Sequence, residues 1–399
     1  MKKLRILGFL AILVFAVTIF AGCGSKPATD SKPADSKPAE SKEPIKVGAN
    51  FELTGGIATF GNSAVNAIQL AFDEINAAGG VNGRQLELVK ADNKSEAAES
   101  TNSITKLLTQ DKVVAVLGPI SSSNALAAAP VAQAKKIPMI TPTATNPKVT
   151  VEEDNKVKEF VFRTCFIDPF QGKVAAEFAA KSLKAKTAAI YIDSSSDYSK
   201  GLAEVFKKTF EAAGGKIVSE EAFLAKDTDF KATLTKIKNA NPEVIYVPGY
   251  YEEVGKIIRQ GRELGIKQAF LGGDGFDSPK LAEIAGKANL NNAFFTNHYT
   301  PKDSAPVVQN FVTQYKTKFG SEPDALAALG YDAAKMLVDG IKRAGSTDAA
   351  ALTKALAETK NLELVTGNIS LDAQHNPVKS AVIIELKDGE QTFKERVNP

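Results

Sequence analysis

The chain has 399 residues, 44% hydrophobic and 24% charged, with 29 glycines and 18 prolines, which is material for about two globular domains with their own cores. Its formal net charge of +3 resides at the very start, because removing Lys2, Lys3 and Arg5 leaves basic and acidic side chains equal in number. No basic stripe with interleaved aromatics points to nucleic acid, and two cysteines exclude a disulfide framework.

Lys2, Lys3 and Arg5 precede a charge-free apolar run from Ile6 to Phe20, followed by Ala21-Gly22-Cys23. The pattern predicts a secretory signal peptide over residues 1–22, too short at its apolar core for a membrane span. The small residues before Cys23 resemble a bacterial lipobox, although Phe20 stands where leucine is usual; an ordinary signal peptide cleaved nearby is the alternative. Lipidation of Cys23 would anchor the chain to the outer face of the membrane without spanning it. Residues 23–44 repeat Ser-Lys-Pro-Ala at Ser25, Ser31 and Ser36. So Pro-rich and charge-mixed a stretch buries no core and reads as a flexible tether.

From Ile45 the hydrophobic pattern alternates. A strand over Ile45–Leu53 is closed by Thr54-Gly55-Gly56, and a helix over Asn62–Ala78 carries apolar residues at helical spacing and ends at Gly79-Gly80. Leu86–Val89 is strand-like, Glu96–Leu108 helical, Val113–Leu117 a strand, Ser122–Lys135 a helix and Pro138–Thr141 a strand. Repeated alternation of this kind argues for a doubly wound parallel sheet, whose ligands bind at the carboxyl edge.

At the centre of that run lies Gly118-Pro119-Ile120-Ser121-Ser122-Ser123-Asn124, where a buried strand ends and a serine-capped helix begins. A helix start presents unpaired N–H groups and the positive end of the dipole, which suits a carboxylate or phosphate; the other reading is a cap that serves only its own helix. The next strand ends in Thr141-Pro142-Thr143-Ala144-Thr145, so both hydroxyl-rich turns should face one crevice.

After Phe160–Thr164 the rhythm restarts with helices predicted over Phe170–Leu183, Gly201–Ala213, Phe230–Asn239 and Glu252–Leu264. Strands are predicted over Ala188–Ile192, Ile217–Ala222, Val244–Val247 and Gln268–Leu271. Helices over Val307–Phe319, Ala325–Ala344 and Ala349–Glu358 follow, then strands over Ala381–Leu386 and Thr392–Val397. Tyr331 and Asp332 read as residues that cap and pack a helix start. Cys165 reads as a small buried residue, and His298 and His375, without metal-ligand spacing, as structural or surface residues.

Six stretches now stand in order: Gly118 to Ser123, Met139 to Thr145, Asp197-Tyr198-Ser199-Lys200-Gly201, Gly249-Tyr250-Tyr251, Gly272-Gly273-Asp274-Gly275 and Gly330-Tyr331-Asp332. Together they resemble the leucine/isoleucine/valine-binding family of ABC-importer solute receptors, across residues 45–399. The resemblance implies a type I periplasmic-binding-protein-like fold, α/β, with two doubly wound parallel-sheet lobes joined by a multi-crossover hinge. It divides the chain into an N-terminal lobe of residues 45–165 plus 299–375 and a C-terminal lobe of residues 166–298 plus 376–399.

The same resemblance implies an amino-acid ligand between the lobes. Ser122 and Thr145 would hold its carboxylate; the Thr143 carbonyl and the Thr145 hydroxyl would accept from its ammonium. Asp274, where the family often has glutamate, would supply the opposing charge. Tyr198 and Tyr250 would wall the cleft, and Phe60, where the family often has tyrosine, would form an apolar pocket with Ile120 and Phe276.

The implied function is an extracytoplasmic, lipid-anchored monomer that delivers leucine, isoleucine or valine to an ABC permease and its ATPase subunits, with no catalytic residue, cofactor or metal. Other amino acids, amides, urea or aromatic acids are alternative ligands, and a sensory ligand-binding subunit is an alternative role. An enzyme reading lacks support, since no Gly-x-Gly-x-x-Gly follows the first strand and no Walker sequence occurs.

Overall fold

Buried strands, most of them paired in parallel, build two separate sheets. The protein is described by a computed structural model over residues 43–399. The predicted signal peptide, Cys23 and the tether up to residue 42 lie outside the described residues.

The first run comprises β1 (Ile45–Phe51), α1 (Ala58–Ala77), β2 (Leu86–Asp92), α2 (Ala97–Thr109), β3 (Ala115–Leu117), α3 (Ser122–Lys135), β4 (Met139–Thr141) and β5 (Val161–Arg163). Its five strands form one wholly parallel sheet in the order β2-β1-β3-β4-β5. The short strands β3, β4 and β5 are buried at every residue, as expected for strands covered by helices on both faces.

The second run comprises α4 (Asp168–Glu177), β6 (Thr187–Asp193), α5 (Asp197–Ala212), β7 (Lys216–Phe223), α6 (Lys231–Asn239), β8 (Val244–Tyr246), α7 (Tyr251–Glu263), β9 (Ala269–Gly272), α8 (Pro279–Ala285) and β10 (Ala293–Asn297). The chain then leaves for α9 (Pro306–Phe319), α10 (Ala325–Ala344), α11 (Ala349–Ala357) and the hairpin β11 (Leu362–Leu364) and β12 (Gly367–Ile369). It ends in β13 (Ala381–Lys387) and β14 (Glu390–Val397), which complete a seven-stranded sheet in the order β14-β13-β10-β9-β8-β6-β7.

Helix α10 lies along α1 on the first sheet's side. A side chain at Gly330 would come within 2.7 Å of the Ala64 carbonyl, so the two helices touch backbone to backbone there. The buried face of α1 carries Phe60, Ala64, Ile68, Phe72 and Ile75, the helical spacing that the sequence displayed.

Several expectations change. Helix α1 starts at Ala58, before Asn62, and α5 starts at Asp197 under a Ser196 cap, before Gly201. Helix α4 also starts early, at Asp168, and its continuation over Phe178–Ser182 has π-helical spacing. Helix α8, strand β10 and the β11–β12 hairpin were not anticipated; β10 is buried at all five residues and shows no alternation to read. The second sheet is mixed, because β13 runs antiparallel to β10 and β14 antiparallel to β13. Tyr331 and Asp332 sit inside α10, not at a helix start. Asp332 accepts from the Val365 and Thr366 N–H groups at 2.8 and 3.0 Å and so ties down the hairpin turn. His375 stacks on Phe162, and Cys165 is fully buried.

Candidate functional site

Most residues that gather at the site follow the carboxyl end of a parallel strand, the edge where such sheets bind ligands. Gly118 follows β3 with φ +98, and a Cβ there would strike the Asn50 carbonyl, so only glycine lets the chain turn into α3. Ser121 caps α3 by accepting from the Asn124 N–H at 3.3 Å.

The anion that this helix start attracts is partly internal. Glu52, fully buried after β1, accepts from the Ile120 and Ser121 N–H groups at 3.0 and 3.1 Å and from Asn124 Nδ2 at 2.7 Å. Burial pushes its carboxyl above the usual range, and those donors oppose the rise. The Ser122 and Ser123 N–H groups are left without an acceptor among the described residues.

The second hydroxyl-rich turn closes on the first. Thr143 Oγ1 donates to the Ile120 carbonyl at 2.8 Å, and Ser122 Oγ accepts from the Asn146 N–H at 3.2 Å. Arg163, also fully buried, fixes this turn by donating to the Ala144 and Asn146 carbonyls at 2.7 and 2.9 Å.

From the other sheet comes Asp274, after β9 and 5% exposed. Its Oδ1 accepts from Gln171 Nε2 and from the Tyr198 hydroxyl, both at 2.8 Å, and its Oδ2 meets His298 Nε2 at 2.9 Å. Burial pushes this carboxyl up, but the three donors, His298 foremost, outweigh it and hold Asp274 below its ordinary value. It is therefore an ionised carboxylate in a buried site. Two acceptor positions per oxygen leave one, on Oδ2, still open.

A cleft with about 250 Å³ of empty space, counted out into the solvent at its mouth, is lined by Phe60, Ile120, Thr143, Tyr198, Tyr250, Asp274, Gly275 and Leu326. Its walls are already close together, leaving room for little more than a water molecule. Tyr198 and Tyr250 stack at 5.1 Å, and Phe60 meets Tyr250 edge-on at 6.2 Å. The two halves also touch around the rim. Ser123 Oγ donates to Asp197 Oδ2 at 2.9 Å, Asn146 Nδ2 to the Asp197 carbonyl at 3.0 Å, and Tyr251 to Thr59 Oγ1 at 3.1 Å.

Six of the nine residues expected to bind ligand thus line one cavity: Phe60, Ile120, Thr143, Tyr198, Tyr250 and Asp274. Ser122 and Thr145 are buried beside it in the two turns. Phe276 is not brought to it. Its ring is buried against Phe295 and over Gly272, where a Cβ would strike it, because the short 3-10 turn Asp274–Phe276 points it into the second sheet's core.

Sequence reasoning missed four residues besides Glu52 and Arg163. Leu326, in the first turn of α10, takes the apolar place that Phe276 was expected to fill. Gln171 and His298 hold Asp274, and His298 is therefore not a surface residue: its side chain is fully buried and stacked 3.7 Å from Phe166. Asp168 starts α4, and neither of its buried oxygens has a partner; Thr145 Oγ1 is also unpartnered. Burial pushes the Asp168 carboxyl up to about 8; the nearby Thr145 hydroxyl and Arg163 oppose the rise, and the Asp274 charge adds to it. The one available signal was position, since Asp168, Gln171 and His298 all follow strand ends.

Two α/β sheets with a small cavity between them, apolar at one end and carboxylate-lined at the other, define a solute-binding class of fold. The chain belongs to the periplasmic binding protein family, whose pattern matches residues 44–391. It is 32% identical over 335 residues to the leucine-, isoleucine-, valine-, threonine- and alanine-binding protein of Pseudomonas aeruginosa, covering 82% of this chain and 86% of the relative. Among solved structures it resembles the leucine binding protein LivK of Thermotoga maritima, with TM-score 0.84 and 41% identity over 89% of this chain and 99% of that one. The branched-chain amino acid transporter substrate binding protein LivJ of Streptococcus pneumoniae, in complex with isoleucine, gives TM-score 0.84 and 39% identity over 89% of this chain and all of that one (100%).

Proposed function

We propose that the chain is the receptor of an ABC importer for branched-chain amino acids, held outside the membrane by a lipid on Cys23. The observation that carries this reading is an ionised, buried Asp274 at one wall of a small cavity whose other walls are apolar and aromatic. An α-amino acid with an aliphatic side chain matches that division of charge.

In this reading the ammonium group takes the open position on Asp274 Oδ2, with the unpartnered Thr145 hydroxyl and Asp168 carboxyl close by. The carboxylate lies at the start of α3, on the Ser122 and Ser123 N–H groups that Glu52 leaves free, where the dipole favours it. The side chain lies among Phe60, Ile120 and Leu326. Residues 45–165 plus 299–375 and residues 166–298 plus 376–399 act as two lobes that close on the ligand, and the closed form docks as a monomer onto a permease with its ATPase subunits. Nothing in the scheme breaks a covalent bond, so the protein is read as a receptor and not an enzyme.

The kinship with the Pseudomonas, Thermotoga and Streptococcus proteins supports this ligand class. A ligand of about nine heavy atoms, at up to ~1.5 kcal/mol per atom, has enough binding energy for sub-micromolar affinity. A thermal-shift screen against the amino acids, small amides, urea and aromatic acids tests it, because a ligand that binds the native state raises its melting temperature. Shifts with leucine, isoleucine and valine are expected. Shifts with amides or aromatic acids alone would overturn the ligand.

A further inference from the structure

His298 is the least expected member of the site. It follows β10, its side chain is fully buried, and its ring lies stacked on Phe166 at 3.7 Å and 22°, which leaves the imidazole no room to swing away. Nε2 meets Asp274 Oδ2 at 2.9 Å, while Nδ1 has no partner among the described residues. With Gln171 and Tyr198 on Oδ1, the Asp274 carboxylate is clamped at both oxygens.

We propose that His298 is a positioning residue for ligand capture: as a neutral donor it orients Asp274 and leaves that negative charge to the ligand's ammonium group, and as an imidazolium it cancels the charge and releases the ligand. The proposal rests on the amino-acid reading given above. Its physical basis is that a buried carboxylate beside an imidazolium is a closed ion pair, with little net field left to attract a second cation.

The surroundings favour the neutral form. Burial lowers the affinity of His298 for a proton; Asp274 raises it and Lys379 lowers it again, and the balance falls below the ordinary histidine value. Asp168, Asp277 and Cys165 act on the same pair through Asp274. On the far side His298 borders a second cavity, with about 890 Å³ of empty space, whose other ionisable groups are Tyr299, Asp303, Glu363 and Arg396. Asp303 and Arg396 are paired there at 2.7 Å.

The sign follows from linkage. An ammonium group beside Asp274 lowers the proton affinity of His298 further, so acid weakens ligand binding, by up to tenfold per pH unit below the His298 pKa of the free protein.

The test is calorimetric titration of the whole protein, at about pH 7.5 and about pH 5.0, with whichever of leucine, isoleucine and valine binds it most tightly. His298→Gln, whose amide nitrogen can reach the Nε2 position without titrating, is expected to bind within about threefold of wild type at the higher pH and to lose most of the acid dependence. His298→Leu, which has no donor, is expected to lose at least about tenfold at the higher pH, the order of loss when a charged group's donor is removed. Acid dependence equal to wild type in His298→Gln overturns the proposal even if the leucine variant fails to fold. Wild type that binds none of the three at either pH overturns the receptor reading itself, a different result from tight binding with an unaltered pH profile.

Discussion

Tyr198 and Asp274, 76 residues apart in the chain, meet through a hydroxyl-to-carboxylate hydrogen bond of 2.8 Å. The bond joins the first turn of α5 to the turn after β9, across the end of β8 at the carboxyl edge of the same sheet. Gly273 makes the approach possible, since a Cβ at that position would strike the Tyr198 hydroxyl and come within 2.9 Å of Gln171 Nε2. Burial and the Asp274 charge push the Tyr198 phenol well above its usual range, so it remains a donor at every physiological pH.

Asp274→Ala removes the charge opposite the ligand's ammonium and leaves Gln171, Tyr198 and His298 donating into an empty space. Affinity for branched-chain amino acids should fall at least tenfold, about 1.4 kcal/mol or more, in calorimetric titration. Unchanged affinity would reject the ammonium role.

Tyr198→Phe deletes one of three donors and keeps the ring stacked on Tyr250. The remaining donors still hold the carboxylate, so a loss of about threefold to tenfold is expected, in line with ~1 kcal/mol for one buried hydrogen bond. A loss as large as that of Asp274→Ala would mean that the hydroxyl contacts the ligand directly.

Asp168 yields a prediction on stability. Its folded-state pKa is raised to about 8, above the ~3.9 of an unfolded aspartate, so between those values the folded state binds more protons and stability falls as pH rises. Asp168→Asn should therefore melt higher than wild type at pH 8 without ligand, with the difference shrinking toward pH 4, and should bind amino acids more weakly. Thermal melts across that range, with and without ligand, check both signs. A variant that melts lower than wild type at pH 8 would show that the Asp168 charge is compensated.

Leu326→Ala enlarges the apolar end that Phe60 and Ile120 also line. Leucine should lose about tenfold or more in affinity, as ~1–3 kcal/mol per methylene group allows, and phenylalanine should gain relative to valine. Ligand competition assays read the ranking directly. An unaltered ranking would place the side-chain pocket elsewhere.

The alternation of strand and helix was legible because helices such as α1 and α7 carry an apolar stripe and strands β3 and β4 run straight into Gly118 and Pro142. Strand β10 escaped notice because Ala293-Phe-Phe-Thr-Asn is buried on both faces, and a short apolar run without alternation has no period to detect. Helix starts were placed late in α1, α4 and α5, where Phe60, Asp168 and Tyr198 belong to first turns that the apolar pattern does not mark.

The lining residues of the cavity were readable from the family resemblance except Leu326, and Phe276, expected among them, lies elsewhere. Its neighbour Gly275 lines the cavity, and the tight turn sends the next side chain the opposite way. The partners of Asp274 were not readable, because Gln171 and His298 meet it only after α4 has packed on β10 beside β9. Glu52 is the clearest case of a residue hidden from sequence: only the fold puts a glutamate that follows β1 onto the start of α3.

The claim that one amino acid lies between Asp274 and the start of α3 is tested most directly by a crystal structure of the protein with isoleucine. The account predicts the ammonium nitrogen about 3 Å from an Asp274 oxygen, the carboxylate on the Ser122 and Ser123 N–H groups, and the side chain against Leu326. Isoleucine with its carboxylate toward the second sheet, or bound away from Asp274, would contradict it.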